Sequence, residues 1–228
     1  MHEDGKALAR LAAAASYLLL HAPDERTVRA LGEQTGRSLD LATARQDFID
    51  HLCVAQSGRF VPPYAHVLNS ARETEEFWYL PQARFDGGDA LLSWYDVTGF
   101  RAADLPCDAL LDSPGRPLDH VGVLLAFLAL LLDASEANDA DARLLGEFVA
   151  EHIKPWSGVF TRLLSQSGSV YLGLLGEALA DLVDALSVAY PSRDGAGQAR
   201  ERAWIPIRPA DGAPMCATVS VDGSPGRT

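Results

Sequence analysis

The chain has 228 residues, enough for one sizeable domain with a large core, and 48% of them are hydrophobic with Ala and Leu dominant, which favours helices over sheets. Its formal charge of −12 is concentrated in residues 1–191 (14 basic against 27 acidic), while 192–228 hold 5 basic against 4 acidic. Such an acidic body repels phosphates, which excludes nucleic acid as a partner, and it is compatible with a basic peptide. The three cysteines, Cys53, Cys107 and Cys216, lie far apart without a CxxC pair, as expected in a reducing compartment. Lys6 and Arg10 precede only a short Ala-rich run, and Leu18-Leu19-Leu20 leads to His21 and Pro23 rather than to a cleavage site. The expected location is cytoplasmic.

In chain order, residues 5–21 read as a helix with Leu8, Leu11, Ala15, Leu18 and Leu19 at apolar positions. Pro23-Asp24-Glu25 reads as the start of a second helix, with Pro in the first turn and acids near the positive dipole end, and this helix ends near Gly36. A third, from about Leu39 to Gln56, sets Leu41, Ala44, Phe48, Leu52 and Ala55 on one stripe. Phe48 and Leu52 are there either as ordinary core or as the lining of a groove. The segment 57–64 contains Pro62-Pro63, which forbids helix and stiffens an extended loop ending in Tyr64. Tyr64 either closes a core edge or forms a binding lip, being a rigid apolar face with a polar handle. Glu73, Glu75 and Glu76 read as a solvated face, and Phe77-Trp78-Tyr79 as core.

A short helix is expected from Asp86 to Thr98 with Gly99 as its stop, and Pro106, Pro114, Gly115 and Pro117 then break regular structure. Residues 121–132 carry no polar side chain, so they are expected to form a helix surrounded by protein. A bilayer span needs about 20 such residues, so no stable membrane insertion is expected. Beyond it lie an amphipathic helix at 139–152, a stop or restart at Pro155, and a last helix from about Ser169 to Ala189. Residues 192–228 are rich in Gly, Pro, Ser and Ala and read as a flexible tail, with the apolar Trp204-Ile205-Pro206-Ile207 as a docking candidate. Strand alternation is essentially absent. The expected fold is all-α: one domain at 1–191, with an N-terminal part at 1–105, a hinge at 106–117 and a C-terminal part at 118–191.

No phosphate loop, GxGxxG, GxSxG or HExxH occurs, and no His/Cys cluster has ligand spacing, so neither a cofactor nor a metal is assigned. The chemistry left is Asp119-His120 at the mouth of the central helix. Asp119 can cap or charge the helix start. It can hold a guanidinium at the edge of an apolar cavity. Asp beside His can also serve a general base in a small helical hydrolase, although the sequence offers no nucleophile for it.

Pro117-Leu118-Asp119-His120-Val121-Gly122, running into an apolar helix, resembles the Pro-x-Asp-His motif of the TorD/DmsD/NarJ redox-enzyme maturation chaperones. Val61-Pro62-Pro63-Tyr64 is similar to that family's upstream Pro-Pro-aromatic loop. Phe148 with His152-Ile153-Lys154-Pro155-Trp156 and Phe160 is similar to its downstream block. The chain departs from the pattern at Arg116, where the family often has an acid, at Leu124, where it often has Glu, and at Ala65-His66 after the aromatic. The resemblance implies a helical bundle, without enzymatic activity, that binds the twin-arginine signal peptide or the apo form of a molybdenum-enzyme catalytic subunit. It implies a peptide site at Asp119, His120, Pro117, Tyr64, Pro63, Phe48 and Leu52, and either a monomer or a dimer that exchanges halves about the hinge. The competing readings are a scaffold that binds only the mature enzyme subunit, and the hydrolase.

Overall fold

The computed structural model describes residues 2–112, 116–134 and 139–191. The described residues belong to one compact unit, Met1–Ser192. The tail expected at 192–228, with its apolar 204–207 segment, and the middle of the expected hinge (113–115) lie outside the described residues. Nine α-helices are described: α1 (His2–Leu20), α2 (Glu25–Thr35), α3 (Leu41–Phe48), α4 (Ala65–Leu68), α5 (Leu92–Thr98), α6 (Val121–Ala134), α7 (Asp139–Phe148), α8 (Lys154–Gln166) and α9 (Val170–Ala189). The fold is all-α, with a small antiparallel ribbon of β1 (Arg72–Glu73) and β2 (Trp78–Tyr79).

Local chemistry sets the ends of these helices. Asp24 caps α2 by accepting from the Thr27 amide at 2.7 Å, and Gly36 closes it in a left-handed conformation. Asp40 caps α3 through the Thr43 amide, and Ser169 caps α9 through the Leu172 amide. Pro155 restarts a helix: it sits in the first turn of α8, where its missing N–H is no loss.

Helix α6 is the hub. It is apolar on every side and almost wholly enclosed, as a helix without a polar face must be. It packs chiefly on α1, and the two approach closely at Gly122, where a Cβ would lie 2.7 Å from Leu20 Cγ. The Ser16 hydroxyl crosses this contact to the Gly122 carbonyl at 2.7 Å. α9 lies against both α1 and α8, and the Tyr171 hydroxyl donates to the Leu18 carbonyl at 3.1 Å. Phe127 on α6 gathers Tyr95, Phe100 and Phe148 with ring centroids 4.9 to 5.1 Å away, an edge-to-face and tilted cluster that joins α5 and α7 to the hub.

The structure differs from the expectations at three places. The third helix does not run unbroken to Gln56, because a π-helical turn at Ile49–Cys53 ends it, and the His51 carbonyl is then free to accept the Val61 amide at 2.7 Å. A second π-turn, Val149–Ile153, separates α7 from α8. The cluster Phe77-Trp78-Tyr79 is not core. Successive residues of a strand face opposite sides, so Trp78 rests against α8, its indole N–H on Gln166 and Arg162 over its ring. Phe77 and Tyr79 are 60% and 54% exposed. Among the described residues no helix is long and apolar enough to cross a membrane.

Candidate functional site

The Pro62-Pro63-Tyr64 lip and the turn that opens α6 are built as one piece. The Val121 amide donates to the Pro63 carbonyl at 2.8 Å and the Ala65 amide to the Asp119 carbonyl at 3.0 Å, so Tyr64 and His120 face each other in an antiparallel bridge. From the other side, the Leu118 amide donates to the Gly87 carbonyl at 3.1 Å, and the Tyr95 hydroxyl to the Leu118 carbonyl at 3.0 Å. Gly88 makes this approach possible: its φ is +87°, and a Cβ there would lie 2.5 Å from the Asp119 amide nitrogen.

Asp119 is held inside this clamp and is 4% exposed. Its Oδ2 accepts from the His66 amide at 2.6 Å and from His66 Nδ1 at 2.8 Å. The Arg84 amide donates to His66 Nε2 at 3.0 Å, so Nε2 is the acceptor and the ring proton sits on Nδ1, facing the carboxylate. The second Asp119 oxygen, Oδ1, has no hydrogen-bond partner among the described residues. The sequence pairs Asp119 with its neighbour His120. The fold pairs it with His66 instead, 53 residues away.

His120 is fully enclosed, with Nδ1 accepting the Gly122 amide at 3.1 Å and the ring edge-on to Tyr64. Burial, with the Arg116 charge adding to it, pushes its pKa down to about 3, so the ring is neutral. Neither histidine has the geometry of a general base beside Asp119. His120 is oriented elsewhere, and His66 Nε2 is already occupied by the Arg84 amide.

An open cleft of about 240 Å³ lies in front of the clamp. Leu52, Leu111 and Pro117 wall it, Tyr64 is half-buried in it, and Phe85 and Leu110 stand at its edge, 86% and 56% exposed. Cys53 also faces it, but burial and the nearby Asp108 push its thiol up to about 12, so it is not a reactive thiolate. The two charged residues of the lining are basic, Arg84 and Arg116.

Of the expected site residues, then, the structure brings Tyr64, Pro117 and Leu52 onto one cleft. Asp119, His120, Pro63 and Phe48 are buried behind it. A carboxylate notch open to a guanidinium is not what this sequence builds, because the amide and ring donors of His66 draw the carboxylate inwards. Three contributors were missed. His66 and Arg116 both stand where the chain departs from the family pattern, but no local pattern announces the pairing of His66 with Asp119. Gly87-Gly88 carries only a turn signal.

Among the described residues no cluster of His, Cys, Asp and Glu could hold a metal. The fold is an all-α bundle with an open cleft presented by a stiff, stapled lip. The chain belongs to the nitrate reductase delta subunit family, whose model matches residues 4–162 and so spans α1 to most of α8. The members of this family are molybdoenzyme maturation chaperones. No curated protein and no solved structure matches the chain.

Proposed function

We propose that this chain is a chaperone that holds the apo catalytic subunit of a molybdenum oxidoreductase, through a segment seated in the Tyr64 cleft, while the cofactor is inserted and before export. The observation that carries the reading is the cleft itself, an apolar surface fixed in shape by the clamp at Asp119 and left open at Phe85 and Leu110. Large exposed apolar groups at the edge of a concavity mark a partner site more often than idle surface. In this reading Tyr64 touches the client and the buried Leu52 and Pro117 form the wall beneath it, whereas Asp119, His120, Pro63 and Phe48 keep the surface in shape.

The twin-arginine signal peptide is the second reading, and a different surface favours it. The ribbon presents Glu75 and Glu76 beside the exposed Phe77 and Tyr79, an acid-and-aromatic face that suits a basic pair followed by apolar residues. Capture from the native cell decides between these readings. The tagged chain is expected to retain a molybdoenzyme catalytic subunit free of cofactor, identified by mass spectrometry. Retention of the subunit after deletion of its leader supports the cleft reading, and loss on that deletion supports the ribbon reading. Retention of only the cofactor-loaded subunit would replace both with a scaffold.

A further inference from the structure

The cleft is apolar in its walls but positive in its charge. Arg116 is only partly exposed, and its guanidinium donates to the Cys107 sulfur at 3.1 Å, the Ala102 carbonyl at 3.3 Å and the Leu111 carbonyl at 3.5 Å. None of these is a carboxylate, and among the described residues no carboxylate lies within ion-pair distance of it. A guanidinium partly removed from water without a counter-charge is a standing cost that an incoming anion relieves. Arg84 has its Nε 3.4 Å from Asp86 Oδ1, with both side chains about two-thirds exposed, an ion pair weak enough to be exchanged for a better one. Asp119 lies within ion-pair distance of neither arginine, its Oδ2 being held by His66.

We infer that the cleft selects a client segment in which a carboxylate side chain lies next to a large apolar one. The carboxylate pairs with the guanidinium groups of Arg116 and Arg84, and the apolar neighbour packs against Phe85, Leu110 and Pro117. A planar guanidinium accepts a carboxylate through two parallel hydrogen bonds, which gives orientation as well as attraction. An arginine pair would be repelled from the same place, so a leader peptide and the cleft's occupant are different segments. This inference rests on the chaperone reading above and names the chemistry of the segment held.

Arg116 also braces 102–111, so the test varies the peptide and Arg84. Three 12-residue peptides share one Leu/Ala frame and differ in a central Asp-Phe, Asn-Phe or Arg-Phe pair. Each is titrated against the full-length protein, followed by fluorescence anisotropy. The Asp-Phe peptide is expected to bind about tenfold more tightly than the Asn-Phe peptide at low salt, with Arg-Phe weakest. Arg84→Ala is expected to reduce the Asp/Asn ratio to about threefold without moving the melting temperature. Equal affinities for Asp-Phe and Asn-Phe, or a preference for Arg-Phe, overturn the inference. A photo-crosslinking residue at position 85 is expected to label the Asp-Phe peptide. Labelling of residues 192–228 or of a second copy in its place also overturns it. If the wild-type chain captures the catalytic subunit yet ignores the carboxylate, this inference fails alone. If it captures no such subunit, the chaperone reading fails.

Discussion

Replacing Asp119 separates a residue that shapes the cleft from one that binds the client. Two donors of His66 converge on its Oδ2, at 2.6 and 2.8 Å, and the carboxylate is 4% exposed. Hydrogen bonds to a charged acceptor contribute about 1.5–3 kcal/mol each, and truncation would strand both donors in a poorly solvated site. Burial of the ion, with Oδ1 unpartnered, offsets part of that gain. Asp119→Ala is therefore expected to cost about 3 kcal/mol. For a domain of this size that is roughly 6–12 °C in melting temperature. Asp119→Asn keeps an acceptor towards His66 and is expected to cost about half as much. Circular-dichroism melts and urea titrations read the stability, and client binding is measured well below each midpoint. Binding by Asp119→Asn should then stay within about threefold of wild type, about 0.65 kcal/mol. If Asp119→Asn melts with the wild type and yet loses the client, Asp119 is a ligand group and the structural account of it is wrong.

Other outcomes follow from the same clamp and core. Gly88→Ala places a Cβ 2.5 Å from a backbone nitrogen at φ +87°, so it should destabilise the domain by at least about 2 kcal/mol in chemical denaturation. Tyr95→Phe removes the donor to the Leu118 carbonyl and should cost about 1 kcal/mol by the same assay, with the fold unchanged. His120 has a pKa of about 3 when folded and about 6.5 when unfolded, so the unfolded state binds the extra proton in between. Its contribution to stability is complete above pH 6.5 and is lost as pH falls towards 3. Between pH 6 and 4.5 this adds a slope of about 1.4 kcal/mol per pH unit, which His120→Asn should flatten.

The architecture was legible because it rests on local rules. Asp24 and Ser169 mark helix starts, Gly36 and Gly99 mark stops, and an unbroken apolar run can only be a hub, whereas the cap at Asp40 shows only in the structure. The π-turns were not legible, since their residues keep helix-compatible periodicity. The site was half legible. The sequence marked Pro117–His120 and Pro63-Tyr64 as the special segments, and the fold does staple them together. Which way Asp119 faces depends on His66, and the sign of the cleft's charge depends on Arg84. Both are long-range facts of packing that no local pattern encodes.

The most direct test compares how the apo and cofactor-loaded forms of the captured catalytic subunit bind to wild type and to Phe85→Asp. Phe85 is 86% exposed, so its replacement leaves folding unchanged. The account predicts that wild type retains the apo form and releases the loaded one, and that Phe85→Asp weakens apo binding by about tenfold. Equal retention of both forms, or undiminished binding by Phe85→Asp, would contradict it.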